Sequence, residues 1–297
     1  MRTVLVVFAA CFVGLFVGLL AAIELDAPAS LYNRLSYNVR TTLDLEKNWF
    51  TPPGPEQADG RTERDCPPPG ETIVLVTGGQ SNAANVVPVP HEVERDVAVW
   101  FDGRCFPASD PMLGATSDRG SLWSVLGDRL AEDLGRPVLL IAGAIGGTQF
   151  GDWTDSRSGY HDALMQRVAS AREAGFRPDM ILWHQGETDA AAERDMVALK
   201  ADVTELTRRL LSDIPEASLY LFQASRCMGS DRVNGVPAVV EVLQAVAAGN
   251  PRIVTGMNTD VLGRDYRWDQ CHFNSMARDE IVARIAPDLA EQLKTAR

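Results

Sequence analysis

"TIVLVTGGQSNAANV", Thr72 to Val86, decides how this chain is read. Thr72–Thr77 is short, β-branched and without polar breaks, the pattern of a buried strand. Gly78 and Gly79 then allow a sharp turn, because no Cβ obstructs positive φ. Ser81 falls just past the strand end, where a small side chain can be held out into a cleft. Taken alone, the stretch is also an ordinary strand-to-helix turn with Ser81 or Asn82 as N-cap. The surrounding chain distinguishes the two.

Further strand-like runs follow at Val138–Ala142, Met180–Trp183, Ser218–Phe222 and Ile253–Gly256. Helical patterns lie between them. "SLWSVLGDRLAEDL" puts Leu122, Trp123, Leu126, Leu130 and Leu134 on one face, opposite Asp128 and Glu132. "YHDALMQRVASAREAG" ends at Gly175, and "AERDMVALKADVTELTRRLL" is the longest pattern. "VPAVVEVLQAVAAG" and a last helix over about Met276–Leu293 complete the set. Alternation of this kind predicts an α/β three-layer sandwich, with a mainly parallel five-stranded sheet covered by helices on both faces. "VAVWFDG", Val97–Gly103, is expected as an accessory strand in the long first crossover.

The chain has 297 residues, 45% of them hydrophobic and 23% charged, as in an ordinary globular protein. Its net charge of −12 excludes nucleic acid as a partner, since phosphates need a basic surface. Residues Thr3–Ile23 are uncharged and long enough for the roughly 20 residues of a membrane span. A cleavable signal has an apolar core of only ~7–15 residues, which favours an uncleaved signal-anchor; the alternative is cleavage near Ala27–Ala29. Arg2 before the span leaves the bulk of the chain on the far side of the membrane. The expected organisation is a signal-anchor or signal peptide over 1–25, a membrane-proximal segment with a Pro-rich linker over 26–70, and one domain over 71–297. Thr51–Glu71 could be either a linker or a surface-hugging segment. Export makes disulfides plausible for Cys66, Cys105, Cys227 and Cys271. Cys66–Cys105 with Cys227–Cys271 is the preferred pairing, although spacing does not fix it. No zinc-ligand spacing occurs, and neither metal nor organic cofactor is expected.

In parallel α/β sheets ligands bind beyond the carboxyl ends of the strands. The polar and glycine-rich stretches fall there: "GGQSN", "AIGGTQFGDW", "HQGETD", "QASRC" and, further on, "WDQCHF". Acyl transfer needs a nucleophile, a base, a group that orients the base, and donors for the oxyanion. Ser81 is the candidate nucleophile and His272 the base, with Asp269 three residues earlier as its orienting carboxylate. D-x-x-H alone is easily accidental in an acid-rich chain. The backbone N–H groups of Ser81 and Gly146 and the amide of Gln185 are the candidate oxyanion donors. A tight turn would also explain Gly146, and loop bracing would explain Gln185.

The blocks "GGQSN", "GGT", "WHQGETD" and "DQCHF" stand in that order, and so resemble those of SGNH hydrolases. The nearest resemblance is to the sialate O-acetylesterase and acetylxylan esterase branch, carbohydrate esterase family six, over Thr72 to the C-terminus. The resemblance implies a Ser81–His272–Asp269 triad, an oxyanion hole of Ser81, Gly146 and Gln185, and an O-acetylated carbohydrate substrate. The wider superfamily has Asn where Gln185 stands, so the hole's outline differs. The implied activity is a carbohydrate O-acetylesterase acting through an acetyl-enzyme. The alternatives are a cell-envelope glycan O-acetyltransferase using the same triad, or a non-catalytic carbohydrate-binding protein on the same fold. Glu187 and Asp189 are expected to brace the loop through Gln80, Asn82 or an arginine, with orientation of His272 by Glu187 as the weaker alternative. Trp153, Phe150 and Arg226 are candidate substrate contacts, with packing the stronger expectation for the aromatics. His184 lines the pocket or caps its strand, while His91 and His161 are expected at the surface.

Overall fold

The computed structural model describes residues 49–227 and 235–295. In chain order the elements are β1 (Ile73–Gly79), β2 (Val97–Phe101), β3 (Arg104–Pro107), α1 (Leu122–Leu134), β4 (Val138–Ala142), α2 (Phe150–Thr154), α3 (Tyr160–Glu173), β5 (Met180–His184), α4 (Glu187–Ala191), α5 (Met196–Asp213), β6 (Ser218–Gln223), α6 (Pro237–Ala248), β7 (Ile253–Asn258) and α7 (Ser275–Thr295). The strands form one sheet of order β3-β2-β4-β1-β5-β6-β7. Every neighbouring pair is parallel except β2 and β3.

The sheet thus has seven strands rather than the expected five. The two extra strands are a hairpin at one edge, closed by Asp102 (φ 50°) and Gly103 (φ 73°). Asp-Gly is the dipeptide that a tight hairpin turn selects, because both central residues need positive φ. The expected accessory strand is β2, which lies beside β4.

β1 is buried along its whole length, because β4 and β5 flank it and helices cover both faces. Leu75 faces the layer containing α1 and α7, and Val74 and Val76 face the layer containing α3, α5 and α6. Successive strand residues point to opposite faces, so each central strand needs an apolar run rather than an alternating one. α1 shows how the flanking helices are specified. Ser121 Oγ accepts the Trp123 N–H at 3.1 Å, and Gly135 ends the helix at φ 60°. Leu122, Trp123, Leu126 and Leu130 are its buried stripe. α5 starts later than its apolar pattern suggests, because the Asp195 carboxylate caps Val197 and Ala198.

The Pro-rich segment from residue 49 packs on the surface of the domain. Gln57 accepts the Gly114 N–H at 2.6 Å and donates to the Ala115 carbonyl at 2.8 Å. Arg167 donates to the carbonyls of Pro53, Gly114 and Ala142. Burial pulls this guanidinium down to about 10. Cys66 is bonded to Cys105 on β3, and Cys227 to Cys271, the two expected pairs. The expected Thr3–Ile23 span lies outside the described residues. Among the described residues no helix is long and apolar enough to cross a membrane.

Candidate active site

β1 lies at the centre of the sheet between β4 and β5; the chain leaves it toward β2 on one side and later crosses from β4 to β5 on the other. This reversal opens a crevice at the carboxyl ends of those strands. Two glycines shape its floor. A Cβ on Gly78 would lie 2.3 Å from the Trp183 ring, and one on Gly79 (φ 125°) would lie 2.0 Å from the His184 carbonyl oxygen. Gln80 donates its N–H to that same carbonyl at 3.1 Å. Ser81 then opens a single 3₁₀ turn, Ser81–Ala83. As the first residue of the turn it has an N–H that the turn itself does not use.

Asn82, fully buried beside Ser81, reaches across to the far end of the chain. Its Nδ2 donates to the Cys271 carbonyl at 3.3 Å, and its Oδ1 accepts the Phe273 N–H at 2.9 Å. These are the two residues flanking His272. Glu187 Oε1 accepts from the same Nδ2 at 2.8 Å and so fixes which way the amide faces. Bracing through Asn82 is the expected role of Glu187. Arg267 also donates to the Cys271 carbonyl, and its guanidinium lies 4.9 Å over the Phe273 ring. The Cys227–Cys271 disulfide ties the same turn to the end of β6.

Within the turn, Asp269 organises His272. Its Oδ2 lies 2.6 Å from His272 Nδ1, while Oδ1 accepts the backbone N–H of His272 at 2.7 Å and of Cys271 at 3.0 Å. Burial works against the charge on Asp269, but the hydrogen bonds from His272 outweigh it and hold the carboxyl below its usual range. The Trp268 indole stacks on the imidazole at 5.8 Å and 23°, with the Arg119 guanidinium 4.6 Å over the indole. Trp268 Nε1 donates to the Val86 carbonyl at 3.1 Å. With Nδ1 held by a carboxylate, Nε2 is left to exchange a proton. Among the described residues no hydrogen bond joins it to the Ser81 hydroxyl.

The other expected donors are both engaged. Gly146 sits beside Ser81: a Cβ built on it would lie 3.7 Å from Ser81 Cβ. Its N–H donates to Thr116 Oγ1 at 2.9 Å. Gln185 is fully buried, accepts the Trp183 indole N–H at 3.0 Å and donates to the Thr148 carbonyl at 3.2 Å. Gln80 Oε1 accepts from Gly186 and Thr188 at 3.3 and 3.0 Å, locking the "HQGETD" loop onto the Ser81 turn.

Asp189 accepts the Phe150 N–H that opens α2, at 3.2 Å. Burial pushes its carboxyl up to about 8, although Arg194 and that N–H oppose the shift. Trp153 and Phe150 are fully buried, and Trp153 packs edge-on against Trp183 at 4.7 Å. The aromatics are packing residues, as expected. Arg226 is largely buried, with its N–H held by Asp260 at 2.8 Å. His184 is fully buried, Nε2 lying 3.0 Å from Thr259 Oγ1, and burial lowers its pKa. Its Nδ1 and Glu187 Oε2 have no hydrogen-bond partner among the described residues. His91 pairs with Asp128 and His161 with Asp213, both at 2.7 Å. Among the described residues no group of three or more His, Cys, Asp or Glu is arranged to hold a metal ion.

The residues missed from sequence are Thr116, Trp268 and Arg119. Only Trp268, beside the D-x-x-H block, carried a local signal. Two solved structures share the fold. A protein from Arabidopsis thaliana aligns with TM-score 0.59 at 16% identity, over 77% of this chain and 100% of that one. A GDSL-like lipase from Parabacteroides merdae, described as putative, aligns with TM-score 0.51 at 13% identity, over 74% and 96%. A carbohydrate acetylesterase from Xanthomonas citri aligns with TM-score 0.49 at 14% identity, over 74% and 56%. No match was found among curated protein sequences. The family model described as "Carbohydrate esterase, sialic acid-specific acetylesterase" matches residues 72–291, from the first strand into the last helix. The chain therefore belongs to this carbohydrate esterase family, and it is an esterase.

Proposed function

We propose that the protein removes O-acetyl groups from carbohydrate through a Ser81–His272–Asp269 triad and an acetyl-enzyme intermediate. The observation that carries this reading is the grip of Asn82 on Cys271 and Phe273, which fastens the His272 turn to the loop holding Ser81. His272 Nε2 takes the Ser81 proton as Oγ attacks the acetyl carbonyl. Asp269 holds the imidazole through Nδ1 and stabilises the imidazolium that forms. The oxyanion develops beside the Ser81 N–H and the Gly146 loop. The imidazolium then protonates the departing sugar oxygen. Water, deprotonated by the same base, attacks the acetyl-serine and releases acetate.

Gln185 supports the site by fixing the Thr148 carbonyl, two residues beyond Gly146. The two disulfides fit an oxidising compartment outside the cytoplasm. Thr3–Ile23 would direct the chain there, as anchor or cleaved signal.

Ser81→Ala tests the reading. Hydrolysis of p-nitrophenyl acetate and of an acetylated glycan is expected to fall by ~10³-fold or more. A serine-directed phosphonate is expected to label the peptide containing Ser81. Unchanged hydrolysis in the variant would overturn the assignment.

A further inference from the structure

Resting on the proposed acetyl-serine chemistry, we propose that the Thr116 hydroxyl, rather than the Gly146 N–H, is the second donor to the oxyanion. The Gly146 N–H is already spent on Thr116 Oγ1, at 2.9 Å. A hydroxyl has one proton and two lone pairs. Accepting from Gly146 therefore leaves the Thr116 proton available, and the incoming hydrogen bond polarises the hydroxyl further. Among the described residues that proton has no acceptor.

Its position fits the task. A Cβ built on Gly146 would lie 3.5 Å from Thr116 Oγ1 and 3.7 Å from Ser81 Cβ. The hydroxyl and the nucleophile's carbon thus both lie within van der Waals contact of the same point beside the glycine. Thr116 is also held rigidly. Its N–H donates to the Ala144 carbonyl and its carbonyl accepts the Asn85 N–H, both at 3.0 Å. Asn85 is fully buried and pinned by its own side chain, accepting from the Met112 N–H at 2.8 Å and donating to the Met112 carbonyl at 2.9 Å. Oxyanion stabilisation requires donors of this kind, fixed before charge develops. Gly146 acts one step back, as a positioning residue that orients the hydroxyl and leaves room for the substrate.

Thr116→Val removes the proton and keeps the branched shape. The expected result is a loss of ~10²–10³-fold in kcat on p-nitrophenyl acetate with KM nearly unchanged, and Thr116→Ser is expected to recover most of it. The opposite result, kcat unchanged or raised in the valine variant, would mean that the hydroxyl only caps Gly146 and that freeing this N–H completes the hole. A crystal structure of the wild-type phosphonate adduct decides independently of any variant's folding. The phosphonyl oxygen is expected about 2.7–3.1 Å from Thr116 Oγ1. An oxygen bonded to the Gly146 N–H, with Thr116 turned away, would overturn the proposal. Loss of activity in Ser81→Ala beside an unaffected Thr116→Val would refute the Thr116 role alone. Activity surviving Ser81→Ala would refute the chemistry beneath it.

Discussion

Asn82, in the turn after β1, and Asp189, in α4 after β5, show two ways of using a buried polar side chain. Asn82 is neutral and has both ends of its amide engaged. Asp189 holds one N–H of α2 but is enclosed so thoroughly that its carboxyl rises to about 8. A carboxyl titrates near 3.9 in the unfolded chain, so between roughly pH 4 and pH 8 the folded state binds the extra proton. Stability from this group is therefore greatest at the acid end of that window and is lost as pH rises through 8. Asp110, raised to about 6 by burial, adds a similar loss at lower pH. In Asp189→Asn the amide oxygen still accepts the Phe150 N–H, with no proton to lose. Urea midpoints measured at pH 6 and pH 8 are expected to fall for the wild type and to stay level for the variant. A fall of equal size in both would exclude Asp189 as the cause. At this scale much of the site was legible. Ser81, Asp269 and His272 stood in recognisable blocks, and a Glu187 brace to Asn82 was foreseen, whereas Asp189, expected to act likewise, takes the Phe150 N–H instead. Thr116 was not, because a threonine in an irregular loop gains its role only from Gly146 folding beside it.

At the scale of elements, the His272 turn is short and irregular, and it is supported from outside. Asn82 and Arg267 hold its backbone, Trp268 lies on its imidazole, and the disulfide to Cys227 anchors it to β6. Replacing Cys227 and Cys271 together by serine removes one of these supports and leaves the buried core strands intact. The expected outcome is a destabilisation of ~2–4 kcal/mol and a fall in kcat of roughly tenfold or more, since small misplacements of a base are costly. Thermal melts and steady-state kinetics check both, and an unchanged kcat would mean that the remaining contacts suffice to hold the turn. Strands and helices were legible because the apolar run of a buried strand and the period-3.6 stripe of a helix are local signals. β2 was the expected accessory strand, but β3 escaped because Arg104–Pro107 is brief and ends in proline, although Asp102-Gly103 marks the turn. The start of α5 was misplaced because the apolar pattern began before the Asp195 cap.

Over the whole molecule, the net charge of −12 sets a long-range field that repels polyanions. Such repulsion is screened as salt shortens the Debye length from about 30 Å at 0.01 M to 8 Å at 0.15 M. For an acetylated polyanionic glycan, kcat/KM is expected to rise severalfold over that range, while turnover of p-nitrophenyl acetate stays flat. A fall in kcat/KM with salt would point instead to local attraction, with exposed Arg119 beside Trp268 as the nearest candidate. The parallel architecture was legible from strand–helix alternation, and sheet order emerged only from long-range pairing. The Asn82 contacts span 189 and 191 positions of the chain. If Ser81 and His272 act as proposed, a growing polypeptide carries the hydroxyl long before it owns the imidazole. Under the proposed triad, esterolysis would begin only once the segment around His272 has been made and has packed against the turn after β1, so a chain cut short of that segment is expected to be inert.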